Sequence, residues 1–155
     1  MTKQVPIAEG LFTWPDDRPR LLASRCLDCG NHMFPQQAGC SRCSGSSTEP
    51  VELGRRGTLW TWTVQAFPPK APPFAGSDDP EVFEPFGVGY LDIDGKLLVE
   101  SRLSLADPAD LEIGMELELI IEPLYVNDSG EEVVTFGFGP VGSSEVTDPN
   151  HKAGV

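Results

Sequence analysis

Residues 26–45 read Cys26-Leu27-Asp28-Cys29-Gly30-Asn31-His32-Met33-Phe34-Pro35-Gln36-Gln37-Ala38-Gly39-Cys40-Ser41-Arg42-Cys43-Ser44-Gly45. This stretch holds all four cysteines of the 155-residue chain, as two Cys-x-x-Cys pairs with ten residues between them. Each pair forms a knuckle that points two sulfurs the same way, so two knuckles offer four sulfurs to one tetrahedral ion. Zinc accepts four thiolates at about 2.3 Å without ligand-field preference, and its binding energy orders a segment too short to bury a core. Structural zinc on Cys26, Cys29, Cys40 and Cys43 is the expectation. Iron on the same four ligands, disulfides and a thiol redox pair are the competing readings. Gly30 relieves crowding where the backbone amides turn towards sulfur, and Ser44-Gly45 serve the second knuckle. Four cysteines close the site and leave no coordination position for a substrate, which argues against catalytic metal.

Towards the N-terminus, residues 1–25 carry Pro6, Pro15 and Pro19 among scattered apolar positions. Arg20–Arg25 reads as a strand entering the first knuckle, and the residues before Trp14 as including a short helix. Towards the C-terminus the pattern changes to period two from Arg56 onward, the mark of strands with one buried face. Trp60, Trp62 and Val64 are expected on one side of a first strand, with Thr61 and Thr63 on the other. A second run, Phe86 to Asp94, meets a third, Lys96 to Ser104, across Asp94-Gly95, a pair that favours a tight hairpin. Leu97, Val99, Leu103 and Leu105 share a face of the third. In the fourth, Met115, Leu117, Leu119 and Ile121 alternate with Glu116, Glu118 and Glu122, and Glu131 to Phe138 supplies the fifth.

Five short strands, with a helical turn near Pro108 to Leu111 between the third and fourth, predict a small Greek-key barrel of the OB type, with an open meander as the alternative. The expected fold is therefore mainly β: an N-terminal segment (1–25), a four-cysteine rubredoxin-like ribbon (26–50), a five-stranded OB-fold barrel (51–140) and a flexible tail (141–155). The connection between the first two barrel strands, Phe67 to Pro85, holds six prolines with Phe67, Phe74 and Phe83 inside it and Phe86 beside it. A loop this long in a small domain tends to be functional. Proline limits the unfolded ensemble, so these four phenylalanines can act as apolar anchors for a partner, or fold back over the barrel.

Charge narrows the function. Residues 1–57 hold 7 Lys or Arg against 6 Asp or Glu, a balance of +1, whereas residues 58–155 hold 4 against 18, a balance of −14. Nucleic-acid binding draws most of its affinity from clustered cations, and the barrel half lacks them. A nucleic-acid-binding ribbon and barrel is thus the alternative rather than the leading reading. No stretch approaches the roughly 20 apolar residues of a membrane span, and the first ten residues lack signal-peptide features, so a cytoplasmic location is expected. His32 lies in the metal loop and His151 in the tail, and neither reads as a base. Asp78, Asp79 and Glu81 read as a solvated acidic loop more than a cation site, and Trp60 and Trp62 as core residues more than stacking platforms. No nucleotide-binding or nucleophile-elbow fingerprint occurs.

The ordered set Arg25-Cys26-Leu27-Asp28-Cys29-Gly30, Met33-Phe34-Pro35, Cys40-Ser41-Arg42-Cys43, Gly57-Thr58-Leu59-Trp60-Thr61-Trp62-Thr63, Pro85-Phe86-Gly87-Val88-Gly89 and Ile113-Gly114-Met115 resembles a known family. That family comprises the zinc-ribbon and OB-fold proteins called domain of unknown function family 35, associated with acyl-CoA metabolism. The resemblance implies zinc on the ribbon and a non-catalytic accessory subunit. Its partner would be a thiolase-superfamily enzyme, such as a thiolase or a lipid-transfer-like aldolase, with the chain as part of a hetero-oligomer that helps handle acyl-CoA. The barrel has few cations for CoA phosphates; Arg55, Arg56 and Lys70 are the nearest candidates.

Overall fold

The computed structural model of the chain describes residues 2–74 and 76–142. Nine strands form two sheets: β1 (Gln4–Pro6), β2 (Leu22–Cys26), β3 (His32–Met33), β4 (Thr48–Glu52), β5 (Arg56–Gln65), β6 (Phe86–Ile93), β7 (Leu97–Leu103), β8 (Glu116–Val126) and β9 (Glu132–Pro140). The small sheet is β3-β2-β4 and carries the knuckles; the large one runs β1-β9-β7-β6-β5-β8 and closes through a β8–β9 pairing. Strands β5, β6, β7, β9 and β8 thus form a five-stranded barrel. Only β7 and β9 pair parallel within it. That connectivity is the OB topology, and a single 3-10 turn, Pro108–Asp110, capped by the Asp107 carboxylate, lies between β7 and β8 where a helical turn is expected.

Each barrel strand forms where the sequence alternates. Leu117 and Leu119 of β8 are fully buried, as are Leu91 and Ile93 of β6 and Val134 and Phe138 of β9. At about 25 cal/mol per Å² of apolar surface, each such side chain stabilises the fold by roughly 1.5–3 kcal/mol. The β6–β7 hairpin turns at Asp94 (φ 57°) and Gly95 (φ 68°). Two successive positive φ values give the primed turn that suits strand twist.

Strand β5 departs from strict alternation. Its register with β6 shifts between Leu59 and Thr61, a β-bulge that places one extra residue on this strand. Gly57 and Leu59 face the core before the bulge, and Trp62 and Val64 pack against it afterwards. Trp60, expected to share a face with Trp62, is instead 57% exposed. Leu59 already fills the inward place, so Trp60 cannot.

The described residues before Trp14 form no helix. Gln4–Pro6 pairs in parallel with Glu132–Val134 as β1, and Phe12 bridges to Leu21. The Gln4 side-chain amide donates to Glu132 Oε1 at 2.7 Å, and Lys3 Nζ lies 3.4 Å from Glu131 Oε2. The sheet edge supplies backbone partners that an isolated short helix lacks.

Ribbon and barrel share one core. Leu21, Ala23 and Leu53 from the ribbon side belong to the same buried cluster as Leu59, Leu91, Leu117 and Phe138. Phe34 of the ribbon meets Phe136 of β9 edge to face, with centroids 5.5 Å apart and planes at 89°. Cys26, Met33 and Cys40 form a second cluster around the sulfurs. Most of the tail expected at 141–155 lies outside the described residues.

Candidate metal centre and its surroundings

The two knuckles are built alike. In the first, the amide of Gly30 donates to the carbonyl of Cys26 at 2.9 Å, and the amide of Cys26 to the carbonyl of Asn31 at 2.8 Å. In the second, Ser44 donates to Cys40 at 3.0 Å and Cys40 to Gly45 at 2.8 Å. The residue four places after each leading cysteine takes a positive φ, 80° at Gly30 and 62° at Ser44. Ser44 therefore holds a left-handed conformation that glycine adopts at no steric cost. Gly45 is needed for a different reason. A Cβ there would stand 2.5 Å from Asp28 Oδ2 and 3.2 Å from Cys43 Sγ.

The turns bring the sulfurs together. Cys26 and Cys43 Sγ are 3.6 Å apart, as are Cys29 and Cys40 Sγ, and all four lie within 4.8 Å of one another. A disulfide needs about 2.05 Å, and all four cysteines are free. A tetrahedron of sulfurs about 2.3 Å from an ion has edges of about 3.8 Å, so the donor set fits a four-thiolate metal. Among the described residues no other group of three or more His, Cys, Asp or Glu converges in this way.

Backbone amides aim at the same sulfurs. Arg42 N and Cys43 N approach Cys40 Sγ at 3.3 and 3.4 Å, and Gly45 N approaches Cys43 Sγ at 3.4 Å. The Cys43 amide is the chief reason that Cys40 is pulled down to about 6. The Gly45 amide favours the Cys43 thiolate, but the neighbouring Cys26, Cys29 and Cys40 sulfurs, with burial, push that thiol up to about 12. Four thiolates packed this closely repel one another, and a dication removes the repulsion.

The remaining candidates scatter. Arg55 donates through Nη1 to the Pro19 carbonyl and through Nη2 to the Leu119 carbonyl at 3.0 Å, while its buried Nε has no partner. Burial is the main cause that lowers its pKa, with the nearby Arg18 charge next. It lines a cleft of about 460 Å³ with Trp14, Pro19, Ile120 and Ile121. Arg56 pairs with Glu116 at 3.6 Å in a separate acidic cleft of about 270 Å³. Lys70 lies in the first barrel loop, where its carbonyl accepts from Phe74 N at 3.2 Å.

Phe74, Phe83 and Phe86 pack on one another with centroids 6.0–6.2 Å apart, and the Arg102 guanidinium covers Phe86 at 4.2 Å. Phe67 alone of the four stays free, at 72% exposure. Asp78 and Asp79 accept from loop amides, Ala71 N at 3.3 Å and Glu81 N at 2.9 Å. His32 lies opposite Arg25 in the β2–β3 pairing, and His151 is outside the described residues. Sequence reasoning missed the outward turn of Trp60. The adjacent apolar pair Leu59-Trp60 breaks the period of two and is the signal that could have found it.

Comparison with known proteins follows the same two units. The family model described as "ChsH2, rubredoxin-like zinc ribbon domain" matches residues 13–49, and "ChsH2, C-terminal OB-fold domain" matches residues 50–122. A "DUF35 domain-containing scaffold protein" of Methanothermobacter thermautotrophicus is 27% identical over 136 residues, 85% of this chain and 95% of that one. The "Benzoylsuccinyl-CoA thiolase subunit BbsA" of Thauera aromatica is 28% identical over 120 residues, covering 77% and 76%. A solved chain titled "Ltp2-ChsH2(DUF35) aldolase" shares the fold, with TM-score 0.55 at 23% identity over 78% of this chain and 84% of that chain. With the two family models matching consecutively over the ribbon and the barrel, this chain belongs to the zinc-ribbon and OB-fold proteins of domain of unknown function family 35.

Proposed function

We propose that this chain is a non-catalytic accessory subunit of a thiolase-superfamily enzyme, a thiolase or a lipid-transfer-like aldolase, which supports assembly of the complex and handling of its acyl-CoA. The observation that carries this reading is a ribbon and a barrel fused through one core, in a chain that aligns along most of its length with relatives named as a scaffold protein and a thiolase subunit. The partner supplies the nucleophile or the acid and base groups. The ribbon ion is zinc, which the closed set of four sulfurs and the 3.6 Å spacings support. Four thiolates held by a metal suit a reducing compartment, in keeping with a cytoplasmic place. No described helix is long and apolar enough to cross a membrane. Of the three cations considered for CoA phosphates, Arg55 lines a cleft, but its Nη atoms hold backbone carbonyls, its Nε is buried, and Asp16, Asp17 and Glu132 line the same cleft, so phosphate there would meet carboxylates. Phe67 is the one loop phenylalanine still available as an anchor.

The test is co-purification of the tagged full chain from its native cells, with identification of bound proteins and metal analysis of the same sample. A thiolase-superfamily enzyme recovered with about one zinc per chain is the expected result. Recovery of nucleic acid in place of an enzyme, or thiolysis or retro-aldol turnover by the chain alone, would refute it. A red protein with a thiolate-to-iron absorption band would replace zinc by iron.

A further inference from the structure

The bulge in β5 carries a consequence for the outer surface of the barrel. Trp60, the extra residue of the bulge, stands outward at 57% exposure, against Tyr90 of β6, with ring centroids 6.4 Å apart and planes at 88°. Leu98, on β7, pairs with Asp92, two residues along β6 from Tyr90 and on the same outward face; it is 41% exposed. Ile113, 65% exposed, lies in the turn whose Gly114 amide donates to the Leu59 carbonyl, next to Trp60. Trp60, Tyr90 and Leu98 thus lie on the outward side of three adjacent strands, with Ile113 in the turn beside β5, a grouping that marks interaction sites more than ordinary surface.

The charges around this face choose among occupants. Asp92 and Glu100 stand on the outward side of β6 and β7, and Glu112 precedes Ile113. Among the neighbouring cations, Arg56 is balanced by Glu116, and Arg102 lies over the Phe86 ring and acts on the Glu122 carboxyl, which leaves Lys96 at the hairpin turn. A second copy of this chain would set the same carboxylates against each other, and nucleic acid would set phosphates against them. The perpendicular packing of Trp60 on Tyr90 also offers no parallel platform for bases. A protein surface with a basic rim meets neither objection.

We infer that the outer face of β5, β6 and β7 around Trp60 and Tyr90 docks the partner enzyme, and that the matching surface on that enzyme is an apolar pocket rimmed by lysine or arginine. The inference rests on the accessory-subunit reading and names its contact surface. Trp60 is the anchor, Tyr90, Leu98 and Ile113 exclude water around it, and Glu100 sits on the rim.

The test uses full-length, metal-loaded variants and the thiolase-superfamily enzyme recovered with the wild-type chain. Trp60→Ala weakens binding at least about 30-fold, as loss of a central aromatic anchor does. Glu100→Lys slows association, and added salt weakens the wild-type complex. Val126→Ser, an exposed apolar change at the far end of β8, leaves affinity unchanged. Metal content and thermal unfolding of each variant confirm that it is folded. Wild-type affinity in both Trp60→Ala and Glu100→Lys overturns this surface and leaves the accessory-subunit reading standing. Absence of any such enzyme on the wild-type chain removes both. A dimer, or binding of a single-stranded oligonucleotide, that depends on Trp60 overturns the inference in favour of that occupant.

Discussion

Truncating the ring pair that joins ribbon to barrel should reveal how firmly the metal unit is held. Phe34 and Phe136 are both half-buried and meet edge to face at 5.5 Å. An aromatic side chain buries about 150–250 Å². With most of that covered, about 25 cal/mol per Å² gives roughly 3 kcal/mol lost for Phe34→Ala or Phe136→Ala alone. The geometry falls inside the favourable range for aromatic pairs, which adds about 1 kcal/mol of direct coupling. The double variant should therefore lose about 1 kcal/mol less than the sum of the single ones. Urea unfolding of the four metal-loaded proteins measures this cycle, and capture of released metal by a chelator reports ribbon opening. In each single variant, metal release should be at least tenfold faster. Strict additivity within about 0.3 kcal/mol, with unchanged metal release, would refute the view that ring packing couples the two units.

Three further outcomes are expected. Ser44→Gly relieves a left-handed serine and raises stability by about 1 kcal/mol, or about 2–4 °C in thermal midpoint, without altering metal content. Phe138→Ala, at the fully buried centre of the barrel, costs about 3–5 kcal/mol in urea unfolding. Burial raises the pKa of Glu122, with Arg102 pulling it back only in part. The folded chain then holds a proton more tightly than the unfolded one. Its contribution to stability is fully present below the ordinary carboxyl pKa and is lost as pH rises through the raised value. The unfolding free energy measured across that window should decline as pH rises in the wild type, and Glu122→Gln should flatten this component.

Much of the molecule was legible because its signals are local. The knuckles read from cysteine spacing, the β6–β7 turn from Asp94-Gly95, and β8 from the alternation of Leu117 and Leu119 with glutamates. Where partners are far apart in the chain, reading stopped. Strand β1 is defined by β9, 128 residues on, so its three residues carry no strand signal of their own. Arg55 looked like a loop charge, yet its guanidinium binds carbonyls 36 and 64 residues away. The phenylalanines of the first loop face the same limit. Composition names them as anchors or as cover, and only the positions of Phe86 and Arg102 show that Phe74 and Phe83 fold inward. The β5 bulge stands between these cases, since the break in period was visible while its effect on Trp60 depended on which residue filled the core.

The order of pairing also bears on how the chain is made. The knuckles need only residues 22–52, so the metal unit can assemble while the rest is still being synthesised. The barrel cannot close until β9 arrives to bridge β7 and β8, and β1 has no template until β9 is in place. Closing contacts of such long range costs loop entropy before it returns any binding. A nascent chain can therefore pair its knuckles ahead of an open sheet, with Leu21, Leu53 and Phe34 still awaiting their barrel contacts, and its first residues are among the last to find their place.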